Sequence, residues 1–169
     1  MQPMPQNAPE QIRFQLFELM MGLMRTQAIS VAVRLGIPDL VSSEPMDVGE
    51  IARRVGADEA ALHRLLRHLV TIGIFAVTGE RSFSATPLSD GLREDAPATA
   101  RWLALMLGEE HYAAWGNAIH SFVTGEPAFE TVHGRPMFDF FEDNPERGEI
   151  FNHAMAAGAR ARAAALVRH

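Results

Sequence analysis

At 169 residues the chain is long enough for one well-cored domain and short for two, and its 47% hydrophobic, 21% charged content is that of a folded protein. The absence of cysteine excludes disulfides, thiolate metal sites and cysteine nucleophiles, while a net charge of −6 argues against a phosphate-binding partner. No basic-then-apolar leader opens the sequence and charges interrupt the apolar runs, so the expectation is a cytoplasmic protein with no membrane partner.

Residues 1–9 carry three prolines and are expected to be a disordered lead. From Ile12 to Arg34 the pattern is helical, with two apolar stripes: Ile12, Leu16, Leu19 and Leu23 form one, and Phe14, Phe17, Met21 and Met24 the other. A helix apolar nearly all round must be buried on several faces, which is hard to achieve so early in a small chain without a partner subunit. The helical segment ends at Gly36, and Pro38 prevents its continuation.

Asp47 is placed to cap a short helix, with Glu50 completing a capping-box-like pattern; Gly56 closes that helix and Asp58 caps the next. In this second helix Leu62, Leu65, Leu66, Leu69 and Ile72 recur at helical spacing up to Gly73. The stretches IFAV (74–77) and SFSAT (82–86) read as two strands joined by the turn TGER. Helix, turn, helix and hairpin make a winged helix. Beyond Pro87 the chain is helical again: PATARWLALML with Pro97 near its first turn, HYAAWGNAIHSFV up to Gly125, MFDFFED, and a long helix from Asn144-Pro145 with Ile150, Phe151, Ala154 and Met155 on one face. The fold class is therefore mainly α, a winged-helix domain over residues 10–160 with a small β-hairpin and extra helices, and residues 161–169 beginning a linker helix.

A winged helix raises the question of DNA. The recognition-helix start would be DEAA (58–61), which brings two acids to the phosphates and no hydrogen-bond donor side chain to base edges. Residues 47–86 hold five Arg (53, 54, 64, 67, 81) against five acids (47, 50, 58, 59, 80), a net charge of zero, so the phosphate attraction that dominates DNA affinity is missing. The expectation is no nucleic-acid partner, with a winged-helix regulator kept as the alternative, resting on Arg64 and Arg67, and a non-catalytic ligand-binding homologue as a further one.

The stretches AVRLGIPDLV, VGEIARRVGADEAALHRLLRHLVTIGIF, FSATPLSDGLRED and TGEPAFETVHGRPMFDFFEDNPERGEIFNHAM together resemble the N-terminal dimerisation domain of the class I S-adenosylmethionine-dependent O-methyltransferases. The branch is that of bacterial polyketide and hydroxyneurosporene methyltransferases and plant phenolic O-methyltransferases. The resemblance covers roughly residues 12–160, and TGEPAFETVHG followed by FDFFEDNPE and FNHAM is its most diagnostic part. It implies a structural winged helix, a homodimer interlocked through the N-terminal helices (Ile12, Leu16, Leu19, Leu23), and a role in antibiotic or other secondary metabolism. It also implies that this domain forms one wall of a pocket for an aromatic small-molecule acceptor. Trp102, Met106, Trp115, Phe141, Phe151 and Met155 are the candidate wall residues, with Phe151 and Met155 foremost because they fall on the FNHAM motif.

The chemistry of that family sits in a Rossmann-like domain whose glycine-rich strand-to-helix turn cradles S-adenosylmethionine. Nothing here matches it, since the glycines of TIGIFAVTGE flank a strand. The expectation is a chain that binds no cofactor by itself, either part of a larger enzyme or a stand-alone homologue. No catalytic or metal constellation is expected either. His63 and His68 diverge, EEH (109–111) reads as a solvated helix start, the serines lack a nucleophile-elbow pattern, and Asp139, Glu142 and Asp143 read as the polar side of a short helix.

Overall fold

The computed structural model describes residues 8–166, with side chains for residues 9–159. Only the end of the expected disordered lead falls among the described residues, and there the chain is already helical from Ala8. Helices α1 (Ala8–Met20) and α2 (Gly22–Arg34) follow one another through Met21, and the backbone ladder continues across the junction: Met21 N donates to Phe17 O at 2.9 Å and Arg25 N to Met21 O at 3.1 Å. An ion pair from Arg25 to Glu18 spans the same junction. The combined helix Pro9–Arg34 is long and apolar enough, by length and composition, to cross a membrane, contrary to the expectation that charges interrupt every such run. Its second half is nonetheless committed to the protein interior, with Ala28, Ser30, Ala32 and Val33 buried.

Gly36, at φ 70°, turns the chain from α2 into the single turn α3 (Ile37–Leu40), a left-handed position that favours glycine. The winged helix comes next: β1 (Met46–Asp47), α4 (Val48–Val55), α5 (Glu59–Thr71), β2 (Phe75–Val77) and β3 (Ser82–Ala85). Asp47 and Asp58 cap α4 and α5 by accepting from Gly49 N (2.8 Å) and Ala61 N (2.7 Å). Glu50 does not complete a capping box; its carboxylate pairs with Arg53 and Arg54 one turn along the helix, where two cations outcompete one backbone amide. The capping box lies instead between Thr86 and Ser89, at the start of α6 (Pro87–Asp90). The wing has three antiparallel strands in the order β1-β3-β2, with Met46 opposite Phe83 and Phe75 opposite Ala85. The two-residue β1 is too short to leave an alternation in the sequence.

Helices α7 (Arg101–Gly108), α8 (Glu110–Gly116), α9 (Ala118–Thr124), α10 (Ala128–His133), α11 (Met137–Asp143) and α12 (Pro145–Leu166) complete the fold. The expected single helix over HYAAWGNAIHSFV is broken at Asn117, and a further helix, α10, lies within the TGEPAFETVHG stretch. Helix α7 lies against α2 and α12. The core gathers Val33, Ile37, Val48, Ile51 and Leu66 from the helices and Val41 from just after α3, with Phe75 and Phe83 from the wing. The result is a mainly helical domain with a small antiparallel sheet.

Phe83 is fully buried at the centre of the middle strand, with the His63 imidazole edge-on at 5.8 Å. Phe83→Ala is expected to lower unfolding free energy by about 3–5 kcal/mol, through lost burial and the cavity left behind. Asp58→Ala removes only a cap and should cost about 1 kcal/mol. Urea midpoints at an unchanged slope check both values.

Candidate functional site

The face that reads DNA in a winged-helix regulator is electrically neutralised here. Arg81 on the wing pairs with Glu59 at the start of α5 and lies 3.7 Å from Asp47. The Glu59 hydrogen bond, aided by the same charge, holds the guanidinium above its ordinary value. Arg53 and Arg54 are taken by Glu50. Of the arginines of this segment, only Arg64 and Arg67 have no ion-pair partner among the described residues.

Helix α1 is the most unusual surface of the molecule. Ile12, Phe14, Leu16, Phe17, Leu19, Met20, Leu23 and Met24 are each 48–77% exposed. At about 3.6 residues per turn, the Ile12–Leu16–Leu19–Leu23 stripe and the Phe14–Phe17–Met24 stripe lie on nearly opposite sides of the helix, and the described residues cover neither. Met21, placed in the second stripe from sequence, is partly buried at the junction with α2. Monomeric proteins rarely leave contiguous apolar area of this size in water.

A second aromatic concentration forms where α11 and α12 meet. Pro136 precedes α11 and Pro145 opens α12, so a fixed-φ residue stands at the start of each helix. Gly148 permits the close crossing, since a Cβ there would meet the Phe141 carbonyl at 3.2 Å. Phe141 and Phe151 stack at 4.9 Å, Phe138 meets Phe151 edge-on at 6.2 Å, and the His111 ring lies parallel to Phe151 at 6.1 Å. A cleft of about 220 Å³ opens over these rings, with Glu142 and Asn152 at its rim.

The structure brings only part of the expected wall together. Phe141 and Phe151 line this cleft, and Met155 stands one turn further along α12, 40% exposed. Met106 is 5% exposed and belongs to the core, because α7 turns that face to α2 and α12. Trp102 stacks on His153 at 4.6 Å and borders a separate, charged groove between α7 and α12. Trp115 lies across a third groove, of about 280 Å³, with Ala118, Phe122 and Phe129.

Beneath the aromatic cleft is a cluster that the sequence disguises. Glu110, read as part of a solvated helix start, is 5% exposed. Its carboxylate lies 3.9 Å from both Arg147 and His111 Nδ1, and its carbonyl accepts from His133 Nε2 at 3.1 Å. Glu109 pairs with Arg147 and sits 3.6 Å from Arg34. Burial, and then the like charge of Arg34, push the Arg147 guanidinium below its ordinary value. These charges tie α2, α8 and α12 into one unit. Gly108 makes the approach possible, because a Cβ there would overlap the Ser30 side chain. Among the described residues no three His, Asp or Glu side chains converge as a metal site. Gly73 ends α5 and Gly79 lies in the hairpin, and neither opens a strand-to-helix turn.

The two methionines separate core from wall experimentally. Met106→Ala should cost about 2–5 kcal/mol, the usual range for a buried methionine. Met155→Ala, at a half-exposed position, should cost less than about 1 kcal/mol, with thermal and urea melts as the measurement.

Residues 17–95 match the family described as O-methyltransferase dimerisation domain. The phenazine O-methyltransferase PhzM of Lysobacter antibioticus is 39% identical over 152 residues, which are 90% of this chain and 45% of that protein. The O-demethylpuromycin-O-methyltransferase of Streptomyces alboniger is 31% identical, over 90% of this chain and 41% of that protein. The crystal structure of LaPhzM superposes with a TM-score of 0.88 at 38% identity, over 93% of this chain and 47% of that one. The chain thus spans less than half the length of the relatives it matches. The matched segment contains the winged helix and the exposed stripes of α1 and α2 from Phe17 onwards, and it accounts for a helix-turn-helix without a basic face. Residues 17–95 of the chain belong to the O-methyltransferase dimerisation-domain family.

Proposed function

We propose that this chain is the dimerising and acceptor-covering part of a small-molecule O-methyltransferase of secondary metabolism, acting in the cytoplasm as a homodimer. The observation that carries this reading is α1, whose two exposed apolar faces need a protein partner. The relatives named for phenazine and puromycin methylation support an aromatic acceptor. In this reading S-adenosylmethionine supplies the methyl group from a domain other than the one described, and no residue of this chain takes part in the transfer. Phe141, Phe151 and Met155 form the wall: stacked rings offer a flat surface for an aromatic acceptor, and the polarizable methionine adapts to its edge. Trp102 supports α12 through His153 rather than touching the acceptor. The buried Glu109–Glu110–Arg147 cluster fixes the angle at which α12 presents Phe151.

The dimer reading is tested with Leu16→Asp combined with Leu23→Asp. Light scattering should change from the mass of two chains to that of one, or the variant should become insoluble. An unchanged dimer would place the interface elsewhere. Calorimetry with S-adenosylmethionine should give no heat of binding by this chain, and micromolar affinity would overturn the division of labour between domains.

A further inference from the structure

We infer that the aromatic cleft between α11 and α12 selects a planar ring system that carries positive charge, with Glu142 as the residue that sets this preference. This rests on the acceptor-wall reading above and names the chemical class that the wall accepts.

The cleft combines two features that each attract a cation. The first is its rings. Phe138 stands at 85° to Phe151, while Phe141 and Phe151 lie at 29° to one another, so a flat guest can lie along one ring while another meets its edge. The faces of phenyl rings are negative, and a cation within about 6 Å of a ring centroid is drawn to them. The second is Glu142, whose exposed carboxylate stands at the rim with no ion-pair or hydrogen-bond partner among the described residues.

The cations that could neutralise Glu142 are engaged elsewhere. Arg135 pairs with Asp143 and Arg147 with Glu109, and the His111 ring beneath Phe151 has its Nδ1 3.9 Å from Glu110. Residues 137–152, which form α11 and the first turns of α12, hold five acids and one arginine, so the surface around the cleft is net negative. Asn152, also at the rim, offers an amide oxygen that can accept from a ring N–H. At about 220 Å³ the cleft is smaller than the roughly 300–1,000 Å³ that encloses a whole drug-sized ligand, so it takes a flat ring system and leaves the rest outside. An uncharged ring of the same shape gains the same stacking; the carboxylate discriminates by charge. The groove beside Trp115 is lined by no charged side chain and has no such means of discrimination.

Three planar probes share one ring frame and differ in charge: the cation 10-methylacridinium, acridine, which is uncharged at pH 8, and the anion acridine-9-carboxylate. Each is titrated into the 15N-labelled chain at low salt and followed by NMR through the amides of Gly148 and Asn152. The cation is expected to bind about tenfold more tightly than acridine, and the carboxylate least tightly. Added salt should erode the cation's advantage. Glu142→Gln should weaken the cation about three- to fivefold, the scale of one partly exposed ion pair, and leave acridine unchanged. Glu44→Gln, in the loop before β1, should change neither. Phe138→Ala, at a 64% exposed position outside the core, should weaken both. If acridine shifts these amides and Phe138→Ala weakens it, but the cation binds no tighter or ignores Glu142→Gln, the wall stands and the charge preference is overturned. If no probe shifts them, the acceptor-wall reading fails and the proposal with it.

Discussion

The constraint on which the structure turns is a helix whose apolar residues face two opposite directions while the rest of the chain supports only its continuation. Helix α2 is anchored by Ala28, Ala32 and Val33 in the core, and through it α1 is held out from the body as a rigid extension. The ladder across Met21 and the Arg25–Glu18 ion pair keep the two helices in line. An isolated helix of this length is marginal in water, so its persistence depends on what covers its faces. The winged helix, the wing and the bundle after it can all be understood as the platform that presents this helix at one side and the aromatic cleft at another.

The same architecture gives the helix-turn-helix a structural role. Its function here is to build a core: Leu62, Leu66 and Leu69 of α5 meet Val48 and Ile51 of α4, and Phe83 closes the cluster from the sheet. Every acid near the start of α5 is used locally, Asp58 as a cap and Glu59 against Arg81. Helix α12 joins the same core through Ile150 and Ala154 and carries Phe151 to the aromatic cleft. The buried charges at Glu109, Glu110 and Arg147 set its position. A buried ion cluster contributes little net stability but penalises any displacement that separates its members.

Much of this was legible in the residues. The two stripes of α1, the caps at Asp47 and Asp58, the stops at Gly36, Gly56 and Gly73, and the proline start of α12 all carry local physical signatures, and each element forms where those signatures place it. The failures share a cause, which is that tertiary context decided them. The strand β1 exists only because β3 pairs with it. Helix α10 lies in a segment rich in Gly and Pro that reads as loop. Helix α8 separates from α9 at an asparagine that a periodicity reading passes over. Glu110 is charged and so reads as solvated; only the folded arrangement brings Arg147 from some forty residues away to meet it. The wall residues split for the same reason: spacing along a helix places Trp102, Met106 and Trp115 on helices but not on a common cavity.

The central claim is that a second copy of the chain covers α1, and amide hydrogen exchange on the unmodified protein measures this directly. At tens of micromolar, the amides of residues 8–24 should exchange orders of magnitude more slowly than in a free peptide, and this protection should fall on dilution while that of α5 and β3 holds. Exchange of residues 8–24 at the free-peptide rate at every concentration would contradict the account.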